Sequence, residues 1–283
     1  MRLAYYPGCI SRSVSQGLLE STALVASKVD LDLVKLTQAS CCGAGYLNQK
    51  SSFLGTAINA RTLAIAERLK LDLVTGCSTC LTTLSIENER LKTNESLRNR
   101  VNNVLSEFEL EFRNGPKIKH LAEVLTSSPV AERIIEESNT KLHNWRMMIY
   151  PGCHSIRPFP VNHNLEALLV NLGAKIRPCE TWNKCCGFHT FFTHRKMSLS
   201  FVGSIIEAAV KSGSNLVVTL CPLCYIALDS FQADSRREGV CRHSLPILHL
   251  PQVLGIAMGI RARHLGLQKN ITSTETILHS LEV

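Results

Sequence analysis

The stretch Arg2-Leu3-Ala4-Tyr5-Tyr6-Pro7-Gly8-Cys9 reads as a short apolar strand that Pro7-Gly8 brings to a stop, leaving a cysteine in the loop at its carboxyl end. The pattern returns as Met147-Met148-Ile149-Tyr150-Pro151-Gly152-Cys153, and the likeness continues downstream. Cys41-Cys42-Gly43 and Cys77-Ser78-Thr79-Cys80 follow the first copy, and Cys185-Cys186-Gly187 and Cys221-Pro222-Leu223-Cys224 follow the second. Each cysteine of the second set lies 144 positions after its counterpart, and Val74-Thr75 is likewise echoed by Val218-Thr219. A period this long means a duplicated domain, not a solenoid of short repeats.

Working outward, Val14, Leu18, Val25 and Val29 recur near helical spacing and predict a helix from about Ser13 to Lys28. Leu31 to Leu36 reads as a second strand, followed by the loop Ser40-Cys41-Cys42-Gly43-Ala44-Gly45, whose glycines let the backbone approach a bulky inorganic group. A helix from about Leu54 to Leu69 and a strand from Leu71 to Thr75 lead into Cys77. The second half replays this plan with a strand at Met147 to Tyr150, a helix near Leu165 to Leu172 and a strand at Lys175 to Arg177. A helix carrying Phe201, Ile205 and Ala209 and a strand at Leu216 to Leu220 complete it.

Strand, cysteine-bearing loop and helix in alternation are the mark of βαβ units and a parallel sheet. The expected fold is therefore α/β: two duplicated domains, each a small parallel sheet flanked by helices, related by a pseudo-twofold. In such sheets ligands gather outside the carboxyl ends of the strands, where all five cysteines of each half fall. The expected division is 1–145, the first domain with connecting helices from about Leu91 to Trp145, and 146–283, the second with a C-terminal helix and tail. The apolar run Leu245 to Ile260 is expected to be a buried terminal helix, being too short to cross a bilayer, for which about 20 residues are needed. Gln268 to Val283 is either a frayed tail or a docking arm.

The bulk composition agrees with two globular domains: 283 residues, 45% hydrophobic, 19% charged, with a mean hydropathy of +0.07. Met1-Arg2 leads straight into the first repeat, so no signal peptide is expected and the location is read as cytoplasmic. In that reducing setting twelve cysteines point to metal or redox chemistry rather than disulfides. The formal charge of +8 is spread along the chain rather than gathered in a basic stripe with stacking aromatics, so no nucleic-acid partner is expected.

Three chemistries compete for five cysteines per half. Zinc at one or both sites would use four of the five, at spacings such as that of Cys77 and Cys80. A thioredoxin-like exchange site would use two. An iron-sulfur cluster draws thiolates from several loops and suits an all-sulfur shell, and five ligands with an adjacent Cys-Cys pair point to a larger or distorted cluster.

Tyr6-Pro7-Gly8-Cys9, Cys41-Cys42-Gly43-Ala44, Val74-Thr75, His120 to Leu125, Gly152-Cys153-His154, Arg157-Pro158, Cys185-Cys186-Gly187 and Leu220-Cys221-Pro222-Leu223-Cys224 resemble the cysteine-rich CCG family. The likeness is to the B-type subunit of heterodisulfide reductase and its bacterial, sulfur-oxidising relatives, over nearly the whole chain. It implies two non-cubane [4Fe-4S] clusters, one held by Cys9, Cys41, Cys42, Cys77 and Cys80, the other by Cys153, Cys185, Cys186, Cys221 and Cys224. It further implies a pocket shared by both clusters, a small iron-sulfur partner of the C-type, a flavin-containing partner of the A-type, and a thiol, disulfide or sulfur-carrier substrate. This sequence departs from the family beside the second Cys-Cys-Gly, where Phe188-His189-Thr190-Phe191-Phe192 replaces a small apolar loop, and in Ser78-Thr79.

Two functional expectations follow. In one, breaking a disulfide takes two electrons, and two clusters flanking one bond divide the task, with His154, Lys184 and His189 as candidates to deliver protons or orient substrate. In the other, the chain is an electron-relay subunit of a glycolate, lactate or succinate/fumarate-type oxidoreductase with no substrate of its own. Cys179 and Cys241 lie outside the repeat and are expected to be buried thiols, and His243, His249 and His264 are given no role.

Overall fold

A computed structural model describes residues 1–281 and contains two four-stranded sheets. In the first, β1 (Arg2–Tyr6), β2 (Asp32–Lys35), β3 (Leu73–Thr75) and β4 (Ile118–His120) lie in the order β2-β1-β3-β4. In the second, β5 (Arg146–Tyr150), β6 (Lys175–Ile176), β7 (Leu216–Thr219) and β8 (Ile247–His249) repeat it as β6-β5-β7-β8. Every pairing is parallel, and helices flank both sheets, so the molecule is α/β with two similar domains.

The central strands are buried on both faces, which is why they read as continuous apolar runs rather than alternating ones. Alternate side chains of β1 enter different cores: Ala4 and Tyr6 join one, Leu3 and Tyr5 the other. Each core also takes residues from the second half, Met148 and Val217 in the first case and Met147 and Leu216 in the second. Helices cross over as well. Leu250–Ala257 of the second half packs on Gln16–Lys28 of the first, and Val130–Glu136 of the first half meets Leu165–Asn171 of the second.

Several expectations change. The stretch Leu91 to Trp145 is not only a connection, since it contains the fourth strand β4. The run Leu245 to Ile260 is β8 followed by the helix Leu250–Ala257, not one helix. Cys9 lies on a short helix, Gly8–Arg12, rather than in an open loop. The tail is neither frayed nor free over its described part: Glu275–His279 is helical, and Trp145 donates from Nε1 to the Ile277 carbonyl at 2.9 Å. Its last two residues, 282 and 283, lie outside the described residues.

The constant cysteine offset conceals a compensated shift. The helices Gln16–Lys28 and Leu165–Asn171 end at equivalent places, and Leu3 pairs with Leu33 where Met147 pairs with Ile176. This part of the second half therefore runs 143 residues behind the first, and the missing residue is restored before Cys185.

Candidate functional site

All ten repeated cysteines lie at the carboxyl ends of the strands, in two groups of five. In the first group Cys9 follows β1, Cys41 and Cys42 follow β2, and Cys77 and Cys80 begin the helix Ser78–Thr93 after β3. Cys77 caps that helix, its sulfur accepting the Cys80 N–H at 3.5 Å, and Cys221 stands at the same place before Pro222–Ser230. Gly8, at φ +75°, packs its backbone against Cys80, where an added Cβ would stand 3.4 Å from Sγ, an ordinary contact. Gly152, at φ +83°, comes closer still, an added Cβ standing 3.0 Å from Cys224 Sγ. Glycine is needed at both for the positive-φ backbone, and at Gly152 for the space as well.

Within the first nest Cys41 Sγ lies 3.3 Å from Cys9 Sγ, and Cys42 Sγ lies 3.5 Å from Cys80 Sγ. The Cys-Cys-Gly loops are built alike: Gly43 N–H donates to Cys41 Sγ and Gly187 N–H to Cys185 Sγ, each at 3.4 Å. Tyr6 ties its loop down through a hydroxyl bond to the Ser40 carbonyl at 2.8 Å, and Tyr150 does so through the Lys184 carbonyl. The nests touch one another, with Cys77 Sγ and Cys221 Sγ 3.9 Å apart. Because these two cysteines are equivalent, the pseudo-twofold passes between them.

So many thiols cannot ionise together at this spacing. Hydrogen bonds from Cys42 and Cys9 hold the Cys41 thiol down to about 2, while Cys42 is pushed up to about 11, chiefly by Cys41. Cys185 is held down to about 2 by Cys153 and Cys186, and Cys186 is pushed up to about 12, chiefly by Cys185. Cys9 and Cys153 are raised further, each through its bond to the neighbouring thiol. A cationic, sulfur-seeking group seated among them would relieve this frustration, since metals deprotonate the thiols that bind them. All twelve cysteines are free, and among the described residues no three or more Cys, His, Asp or Glu side chains converge as a single-ion site would require.

The two nests differ in openness. A cavity of about 190 Å³ opens among Cys9, Cys41, Cys42, Cys77 and Cys80, whereas that beside Cys153, Cys185, Cys186, Cys221 and Cys224 is about 20 Å³. Thr79, Phe188, His189 and Leu223 line both and form the wall between them. The second loop narrows its own cavity because Phe188 and His189 stand where the first has Ala44 and Gly45, although Cys185 itself stays exposed. Phe191 anchors this loop by stacking on Phe231 with ring centroids 4.0 Å apart.

Of the three polar candidates, two are at the site. His154 lines the second nest, its Nδ1 3.0 Å from Thr79 Oγ1, and its carbonyl accepts from Thr82 Oγ1 at 3.2 Å. His189, exposed on its outer side, lines both cavities, and desolvation on its inner side lowers its pKa. Lys184 is exposed and is not among the residues lining either cavity. Sequence reasoning missed the wall: Thr79 Oγ1 lies 3.8 Å from Cys221 Sγ, and Ser78 Oγ lies 2.5 Å from Ser155 Oγ across the domain boundary. Only the departure of Ser78-Thr79 and Phe188-His189 from a small apolar pattern pointed to these places. Cys179 and Cys241 are buried and line neither nest cavity, lying beside Thr181 and the His243 carbonyl.

A family model for the cysteine-rich domain matches residues 3–85 and again 147–229. The chain is 30% identical, over 95% of its length and 96% of the relative's, to the 8-methylmenaquinol:fumarate reductase membrane anchor subunit of Wolinella succinogenes. It is 27% identical, over 95% of its length and 93% of the relative's, to the B-type subunit of the ferredoxin:CoB-CoM heterodisulfide reductase of Methanosarcina mazei. A protein of Archaeoglobus profundus described as like the B-type subunit of heterodisulfide reductase is 29% identical over 81% of each chain. Among the described residues no helix is long and apolar enough to cross a membrane. A solved structure of a hypothetical protein from Helicobacter pylori shares the fold, with a TM-score of 0.78 at 16% identity over 96% of this chain and 52% of that one. Two matched segments, each carrying one five-cysteine nest, together with relatives alike over nearly the full length, establish that this chain belongs to the cysteine-rich CCG domain family.

Proposed function

We propose that the chain is an iron-sulfur subunit of a multi-subunit, heterodisulfide-reductase-like oxidoreductase. In this reading Cys9, Cys41, Cys42, Cys77 and Cys80 hold one non-cubane [4Fe-4S] cluster and Cys153, Cys185, Cys186, Cys221 and Cys224 a second. The observation that carries it is the contact between two equivalent all-sulfur nests, Cys77 and Cys221 being 3.9 Å apart. A soft shell of five thiols suits such a group better than zinc, which would leave one sulfur of each five unused. When bound, the clusters supply one-electron transfer. The chain's own residues do the rest: the nest thiols hold, the Tyr6 and Tyr150 hydroxyls fix the Cys-Cys-Gly loops, and Phe188 narrows the cavity beside the second nest.

A thiol, disulfide or persulfide substrate then meets the first nest, whose cavity is open and whose Cys9 and Cys41 are exposed. His189, on the shared wall, is positioned to orient a polar end of that substrate or to pass it a proton, and His154 serves the second nest through Thr79. Lys184 keeps no such role. Its place in this reading is a reducing compartment, the cytoplasm, where thiols serve metal or redox chemistry rather than disulfides. The partners of this reading are a small iron-sulfur subunit and a flavin-containing subunit. The alternative, a relay with no substrate of its own, draws on the likeness to the fumarate reductase subunit.

Anaerobic iron, sulfide and zinc analysis of wild type, Cys42→Ala and Cys186→Ala tests the reading. About eight irons in wild type and about half in each variant are expected for two four-iron groups. A colourless protein with zinc near two per chain would overturn it. A thiol or disulfide that perturbs the wild-type visible spectrum assigns substrate chemistry to the subunit, and silence with every candidate leaves the relay.

A further inference from the structure

The duplicated unit acts as its own control, and in one place the copies differ beyond what the nests require. The second domain has a cleft of about 860 Å³ between its sheet and the start of the helix Leu165–Asn171. In the first domain Tyr5, 3% exposed, fills the equivalent place beneath the helix Gln16–Lys28. The second domain has Ile149 instead of that ring, and its helix lacks the first six of the thirteen residues. Pro158 and Pro160, lacking an N–H, hold the replacing segment out of the helix. The result is a hollow of the size that small-molecule sites have, about 300–1,000 Å³.

The cleft has also gained polar groups. By sheet register Arg177 takes the place of Val34, because Ile176 pairs with Met147 as Leu33 pairs with Leu3. Arg177 Nε and His163 Nδ1 are buried without a hydrogen-bond partner among the described residues, although such atoms are ordinarily paired. Arg177 enters none of the ion pairs among the described residues. Glu166 and Glu180 also line the cleft, but both are exposed at its rim, where solvent screens them. Ile149, Val161, Ile176 and Trp182 supply the apolar walls.

We infer that this cleft binds a small organic anion, its carboxylate or phosphate on the Arg177 guanidinium and its apolar body against Ile149, Val161, Ile176 and Trp182. Its inner wall includes Pro151, Ser155 and Ile156, from the segment that also carries Cys153.

Isothermal titration of the full-length, anaerobically purified protein with hexanoate, hexyl phosphate, inorganic phosphate and hexanol tests this. Saturable one-to-one binding of hexanoate or hexyl phosphate is expected, at least about tenfold tighter than inorganic phosphate or hexanol, because head and body both contribute. The tighter of the two names the head group. Arg177→Met should weaken binding about tenfold or more, as loss of a charged hydrogen bond does, and Ile149→Tyr, which restores the ring of the first domain, should abolish it. Both variants should keep the wild-type metal content and melting temperature. The inference is overturned if neither hexyl compound binds saturably, if hexanol binds as tightly as hexanoate, or if well-folded Arg177→Met binds like wild type. The hexanol comparison needs no variant, so it decides even if a substitution disturbs folding.

Discussion

Gly45 and His189 are equivalent positions that meet: an added Cβ on Gly45 would stand 2.9 Å from His189 Nδ1, and Gly45 has φ +80°. The bulky side chain that closes the second nest is thus admitted only because the first loop is bare. Gly45→Ala should cost about 1–2 kcal/mol for the left-handed backbone alone, with the clash added. His189→Gly removes the clash but not the backbone term. A double-mutant cycle by urea denaturation should therefore show a coupling of about 0.5–3 kcal/mol, and simple additivity would contradict the contact. Two further histidines report on the domain boundary. His120 accepts the Ala122 N–H on Nδ1 at 3.1 Å and donates from Nε2 to the Leu220 carbonyl at 3.0 Å, while His249 Nε2 meets Ser15 Oγ at 2.7 Å. Burial pushes His120 down to about 4 and His249 down to about 3, so both are neutral when folded and the unfolded chain binds more protons below about pH 6.5. Stability should therefore be fully present above about pH 6.5. It should fall as the pH drops toward 4, each histidine adding a slope of up to about 1.4 kcal/mol per pH unit. Urea midpoints across pH 7 to 4 should flatten in His120→Gln, and an unchanged slope would contradict the buried neutral ring.

At the level of the element, β1 could be read to the residue because an apolar run ends there at Pro7-Gly8, and the helices were legible to within a few residues from their apolar spacing. The fourth strands were not. Ile118–His120 and Ile247–His249 are three residues each, too short for alternation to register. They also break the period: His120-Leu121-Ala122-Glu123-Val124-Leu125 is matched by His249-Leu250-Pro251-Gln252-Val253-Leu254, 129 positions on rather than 144. Both begin with a histidine that closes a strand and opens a helix, and Glu123 and Gln252 accept the N–H of His120 and His249 at 2.6 and 2.9 Å. Glu123 also takes the Asn162 N–H at 3.2 Å, binding the first domain to the second. Glu123→Ala should cost about 1–2 kcal/mol in chemical denaturation, with Glu123→Gln recovering much of it. Equal losses in the two variants would show that charge, not capping, is the contribution.

In the whole molecule, the spacing of the cysteines was enough to anticipate that each five would gather at one sheet end, because parallel strands bring their following loops together. How the domains dock was beyond reach of the sequence, since the Cys77–Cys221 contact depends on pairs such as Ser78–Ser155 and Thr79–His154 that no local pattern encodes. The unequal openness of the nests follows from Phe188 and His189, visible as residues but not as a lid. Phe188→Ala should open the second nest, so that an added thiol perturbs the spectra of both nests where it perturbs one in wild type, and a spectrum affected in one nest only would contradict that role. The central claim, two iron-sulfur groups in touching nests, is tested most directly by EPR of the anaerobically reduced protein beside Cys42→Ala and Cys186→Ala. The account predicts that each variant keeps one simple signal and that the wild-type spectrum is broadened or split by interaction between the two. A wild-type spectrum equal to the plain sum of the variants' spectra, or no iron-sulfur signal at all, would contradict it.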